Sequence, residues 1–169
     1  MSLNFNDFLE ALEEDAFEER PVDIEEFVTS RDYLGLPPLS EYQYQMIKAS
    51  TQIYKRETLL KLYGEEEGEK RWKQTCNEVI FQLGKGSGKD YTSTIACSYV
   101  VYLLLCLKDP ARYYGKPPGD SIDIINVAIN AIQAQQVFFK GFTNRITRCH
   151  WFDGKYQQKV SSFVFDKGI

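Results

Sequence analysis

Residues 79 to 90 read Val79-Ile80-Phe81-Gln82-Leu83-Gly84-Lys85-Gly86-Ser87-Gly88-Lys89-Asp90. An apolar run, a glycine loop and then a helical pattern opening near Lys89 give the order strand, loop, helix that cradles phosphate. Glycines let the backbone turn tightly and aim its N–H groups at phosphate oxygens. The helix N-terminus adds partial positive charge, and Lys89 is placed to reach the β- and γ-phosphates. Gly84, Lys85, Gly86, Ser87, Gly88, Lys89, Asp90 and Tyr91 are therefore the expected nucleotide-binding set, with ATP as the cofactor. The competing reading is a glycine loop that merely caps a helix. A kinase-type G-x-G-x-x-G fails, because Lys89 stands where the third glycine belongs.

The stretch departs from G-x-x-x-x-G-K-[ST] at two positions. Leu83 occupies the place of the first glycine, and Asp90 the place of the hydroxyl that touches Mg²⁺. A carboxylate is a hard oxygen ligand able to replace that hydroxyl, although it brings negative charge close to the phosphates. Asp90 and Thr92 are the candidate metal ligands.

A chain of 169 residues with 43% apolar content suits one domain, of a size that buries roughly 70% of its unfolded surface. The longest apolar run, Tyr99 to Leu107, is too short to span a membrane and reads as a helix buried on several sides, so a soluble protein with no membrane partner is expected. Cys76, Cys97, Cys106 and Cys149 form no C-x-x-C pair and are expected to be reduced, in or near the core. His150, the only histidine, is too little with Cys149 for a zinc site. The net charge of −4 is uneven: residues 1 to 26 hold ten acids against Arg20, a balance of −9, which leaves +5 on the rest. A mildly basic body is compatible with nucleic acid nearby and does not by itself show DNA binding.

Phe5, Phe8, Leu9, Leu12 and Ala16 make residues 5 to 19 an acidic amphipathic helix, ended by Pro21, with a short helix expected from Asp23 to Ser30. Ser40 to Leu62 predict one strong helix opened by a capping box between Ser40 and Gln43. Gly64 to Gly68 predict a turn or exposed insertion. After the loop helix, Ile122 to Ile129 predict a buried parallel strand, Ala131 to about Arg148 a helix, and Ser161 to Asp166 a further strand. The expected fold is therefore α/β: a P-loop NTPase of RecA/helicase-like type, with a partial parallel sheet flanked by helices and an N-terminal helical extension. Residues 1–30 form that acidic extension and residues 31–169 the N-terminal part of the ATPase domain.

Three stretches together, Leu39-Ser40-Glu41-Tyr42-Gln43, the glycine loop, and Ile125-Asn126-Val127-Ala128-Ile129-Asn130 with Gln133-Ala134 and Val137-Phe138-Phe139, resemble the N-terminal ATPase half of the large terminase subunit of tailed bacteriophages. The resemblance runs from about Asp23 onward. It implies an ATP- and Mg²⁺-dependent motor acting on double-stranded viral DNA. The motor would form a homo-oligomeric ring on the portal protein, work with a small terminase subunit, and act in the host cytoplasm at the procapsid. It maps adenine contact onto Tyr42 and Gln43, a role that can coexist with the capping box, and γ-phosphate sensing onto Lys85, which is otherwise a solvated loop cation. Lys89 and Lys85 are thus the catalytic candidates. Such a motor also needs an Asp-Glu pair after four apolar residues, to hold metal and position water. No such pair follows Asn130, so the chain is expected to be a fragment truncated before Walker B, without turnover of its own. The alternatives are a helicase-like DNA translocase, or a noncatalytic assembly module with a vestigial phosphate loop.

Overall fold

The computed structural model describes residues 16–76, 78–117, 119–130, 132 and 134–169. In chain order the helices are α1 (Ile24–Thr29), α2 (Glu41–Ser50), α3 (Arg56–Tyr63), α4 (Glu65–Lys73), α5 (Lys89–Cys106) and α6 (Pro110–Tyr113). A π-helical stretch, Ala134–Phe139, then leads into α7 (Lys140–Arg148). Two short strands follow, β1 (Tyr156–Gln158) and β2 (Phe163–Phe165).

α5, the helix that the glycine loop feeds, is the axis of the core. It buries residues around most of its circumference, including Ile95, Val101, Tyr102 and Leu104, as expected of a helix without a polar face. Phe27 of α1 packs its ring 4.8 Å from Tyr102 and 5.1 Å from Tyr99. Tyr99 donates to Val22 O at 2.8 Å, and Val22 N–H donates to the Tyr102 hydroxyl at 2.9 Å. A buried helix end needs partners for its last carbonyls. Glu18 and Glu19 N–H reach Cys106 O, Tyr54 OH reaches Leu103 O, and Lys167 Nζ reaches Leu105 O and Leu107 O.

Most of the expected acidic helix over residues 5 to 19 lies outside the described residues. Its last part is not helical: Phe17 forms an isolated antiparallel bridge with Leu107, and Ala16 O accepts from Lys108 N–H. The carbonyls at the end of α5 draw this segment into extended form. The single helix expected over Ser40 to Leu62 is broken after Ser50. Tyrosines of the α6 region cause the break, since Lys55 N–H donates to Tyr113 OH and Tyr114 OH donates to Ile53 O. Tyr54 is turned into the core at 4% exposure. Gly64 to Gly68 are not an insertion either. Gly64, at φ +80°, ends α3 and starts α4, whose three leading glutamates and trailing Lys70, Arg71 and Lys73 match the helix dipole. Gly68 packs so close to α3 that a Cβ would lie 2.6 Å from Leu59 O.

Among the described residues the only sheet is the antiparallel pair β1–β2, in register Tyr156↔Phe165, Gln157↔Val164 and Gln158↔Phe163. Phe163 and Phe165 fasten this hairpin to Phe142 of α7, with ring centroids 5.5 and 6.4 Å apart. The expected parallel sheet is absent from these residues: residues 79–83 and 122–129 join no strand ladder, and Ile122 N–H alone reaches a neighbouring backbone, at Gly168 O, 2.8 Å away. Ile122–Ile129 is not buried, with Ile125 at 78% and Ile129 at 95% exposure. An apolar run becomes a strand only where a second backbone takes its N–H and C=O groups. The cysteines are free. Cys106 and Cys149 are buried and Cys97 half-buried, while Cys76 is exposed, contrary to the core placement expected for all four.

Candidate functional site

The chain crosses from residue 83 to α5 through a loop that glycine alone suits at two points. Gly86 has φ +83° and Gly88, the N-cap of α5, φ +77° with ψ 16°, both left-handed conformations that cost other residues Cβ strain. Ser87 N–H leans back to Gly84 O at 3.4 Å, and Thr92 N–H makes the first helical bond to Gly88 O at 2.9 Å. No side chain caps α5, so its leading N–H groups remain open to an anion, as a phosphate cradle requires. Lys85 and Lys89 are exposed beside it, and neither enters an ion pair among the described residues. Asp90, also exposed, sits in the first turn, where negative charge suits the helix dipole.

The upstream glutamine meets this loop. Ser40 and Gln43 form the expected capping box, with Gln43 N–H donating to Ser40 Oγ at 3.3 Å and Ser40 N–H to Gln43 Oε1 at 3.0 Å. Ser40 Oγ is also 3.1 Å from Oε1. The other end of the same amide, Nε2, donates to Thr92 Oγ1 at 3.2 Å, and a Cβ on Gly88 would stand 3.1 Å from it. The structure thus brings Gln43, Gly88 and Thr92 together, with Tyr42 next to them at 59% exposure. Thr92 is buried at 3% exposure and turned toward Gln43, whereas Asp90 faces solvent. Among the described residues no group of three or more His, Cys, Asp or Glu could hold a metal. A lone Asp90 carboxylate is the kind of protein contribution Mg²⁺ accepts when phosphates and water supply its other ligands.

Sequence reasoning missed a further member of this neighbourhood, Arg145 on α7. Its guanidinium lies 4.4 Å from the centroid of the Tyr91 ring, and Nε donates to Thr94 Oγ1 at 2.8 Å. Burial pushes its pKa down. The only signal was that residues 140 to 148 hold three cations and no acid, which does not say what they face. A cavity of about 1040 Å³ opens along α5 from Lys89 and Asp90 toward Cys97, between Ile122, Phe138 and Phe163. Its apolar walls suit side chains rather than phosphates. His150 is exposed and faces Asp153, with Nδ1 3.0 Å from Oδ2.

A family model described as "Uncharacterized protein MJ0330, N-terminal P-loop domain" matches residues 3–167. The uncharacterized protein MJ0330 of Methanocaldococcus jannaschii is 35% identical over 92 residues, which cover 52% of this chain and 16% of that protein. The chain therefore spans only a small part of the length of this relative. No solved structure matches significantly. The family match and the mixture of helix and strand support a P-loop NTPase-like α/β fold and nucleotide binding. Among the described residues no helix is long and apolar enough to cross a membrane.

Proposed function

Because the chain belongs to the MJ0330 N-terminal P-loop domain family, we propose that it binds ATP with Mg²⁺ at residues 84 to 91. We further propose that it serves movement along double-stranded DNA, as a terminase large subunit does. The observation that carries nucleotide binding is the uncapped start of α5. Two left-handed glycines lead into it, no side chain caps it, and exposed Lys89 stands beside it without an ion pair among the described residues.

In this reading the loop N–H groups and Lys89 hold the phosphates, Lys85 adds charge at the γ end, and Asp90 takes one metal position. Thr92 serves by holding Gln43. Tyr42 offers a ring to the base. Both lone pairs of Gln43 Oε1 are used by Ser40, so Gln43 can only donate to a base, through its second Nε2 hydrogen. Mg²⁺ would supply charge neutralisation across the phosphates. Hydrolysis further needs a carboxylate pair, Asp-Glu after an apolar quartet, that these 169 residues do not contain. The translocase reading rests on the three sequence stretches that resemble terminases. Portal protein, small subunit, ring assembly and host cytoplasm belong to that proposal.

Calorimetric titration with ATP and Mg²⁺ tests the reading. The chain should bind and Lys89→Ala should not, because a fixed ammonium on the terminal phosphates is among the strongest contacts available. Equal affinity in a folded Lys89→Ala protein would remove the phosphate-loop assignment. The chain alone should release no phosphate above that mutant.

A further inference from the structure

Near its N-terminal end α5 is gripped by one side chain from far along the chain. Arg145 covers the Tyr91 ring, donates to Thr94 Oγ1, and points Nη2 at Tyr91 O from 3.5 Å. Thr94, 1% exposed, sends its own hydroxyl to the same Tyr91 O at 2.9 Å. Gly141, one turn before Arg145 on α7, comes so close that a Cβ would be 3.1 Å from Thr94 Cγ2. The two helices therefore have no slack at this crossing.

No carboxylate pairs with Arg145 among the described residues. A half-buried cation without a counter-charge is costly, and an apolar side chain of similar volume would hold two helices together at least as well. What a guanidinium adds is direction, through a planar fork and a stacking face. Both are aimed at the turn that directly follows Lys89 and Asp90.

We propose that Arg145 is a positioning residue of the nucleotide site. By fixing Tyr91 and Thr94 it sets the first turn of α5, and with it the aim of the loop N–H groups, so that phosphate binding and the seating of α7 are linked. The link is reciprocal: a nucleotide on the loop tightens the grip of Arg145 on α5. The inference rests on the nucleotide-binding reading above.

The test is calorimetric titration with ATP and Mg²⁺ of the unaltered chain, Lys89→Ala, Arg145→Ala, Thr94→Val and the Arg145→Ala/Thr94→Val pair. Measurements are made well below each melting temperature. Arg145→Ala should weaken binding about tenfold, within the range of contact couplings. The double mutant should lose less than the sum of the two single losses, since both changes remove the Arg145–Thr94 bond. Millimolar guanidinium, but not sodium at equal ionic strength, should recover part of the affinity of Arg145→Ala. A purely structural loss would not respond in that way. Affinity within about twofold of the unaltered chain, or a loss that guanidinium leaves untouched, overturns the proposal. If Arg145→Ala fails to fold, Arg145→Met, which keeps the stem, carries the same comparison. Failure of the unaltered chain to bind is a different result: it removes the nucleotide reading, and this inference with it.

Discussion

Gln43 and Thr92, 49 positions apart, are joined by a hydrogen bond from Nε2 to Oγ1 at 3.2 Å, while Gln43 Oε1 closes the capping box on Ser40. One side chain therefore ties the start of α2 to the first turn of the helix that follows the phosphate loop.

Gln43→Ala removes the bond to Thr92 and both bonds that Ser40 makes to Oε1, and should lower stability by about 1 kcal/mol, the usual value of a cap. With Oε1 fully engaged it cannot accept from the amino group of adenine. The variant should weaken ATP and GTP binding alike. Parallel titrations with the two nucleotides check this, and a selective loss of ATP would mean that the capping box opens when nucleotide binds.

Gly88→Ala should be worse for the site than for the fold. At φ +77° an alanine costs about 1–2 kcal/mol, equivalent to roughly 2 to 8 °C in melting temperature. Its Cβ also lands 3.1 Å from Gln43 Nε2, so the amide must move and ATP binding should be lost. Gly84→Ala is the stability control. Gly84 has no positive φ and nothing within 4 Å of a Cβ, so its melting should stay within about 0.5 kcal/mol of the unaltered chain.

Thiol labelling should separate the cysteines by burial. Alkylation needs the thiolate, and burial pushes the Cys97 and Cys106 thiols up to about 12. At pH 8 iodoacetamide should modify exposed Cys76 and spare Cys97 and Cys106 until the protein unfolds. Fast labelling of Cys97 in the native state would mean that the cavity beside it admits solvent freely.

The features that could be read directly from the sequence are those whose physical cause is local. Two of the glycines ahead of Lys89, Gly86 and Gly88, allow left-handed backbone and an uncapped helix start, because no Cβ is present to resist it. Ser40 and Gln43, three positions apart, close a capping box within one turn of chain. The length and apolar character of α5 follow from its own residues. Membership of a P-loop domain family agrees with that reading.

The tertiary structure decided whatever depends on a partner distant in the chain. Thr51 to Lys55 carry helical periodicity, yet Tyr113, Tyr114 and Leu103 O take their polar groups and break the helix. Gly68 reads as a turn residue until the backbone of α3 lies against it. The runs ending at Leu83 and Ile129 state a need for burial without naming the backbone that meets it. Arg145 is one cation among twenty basic residues until folding lays it on Tyr91. Local backbone preferences act within a turn of chain, whereas a contact between residues fifty positions apart exists only after the intervening segments have packed.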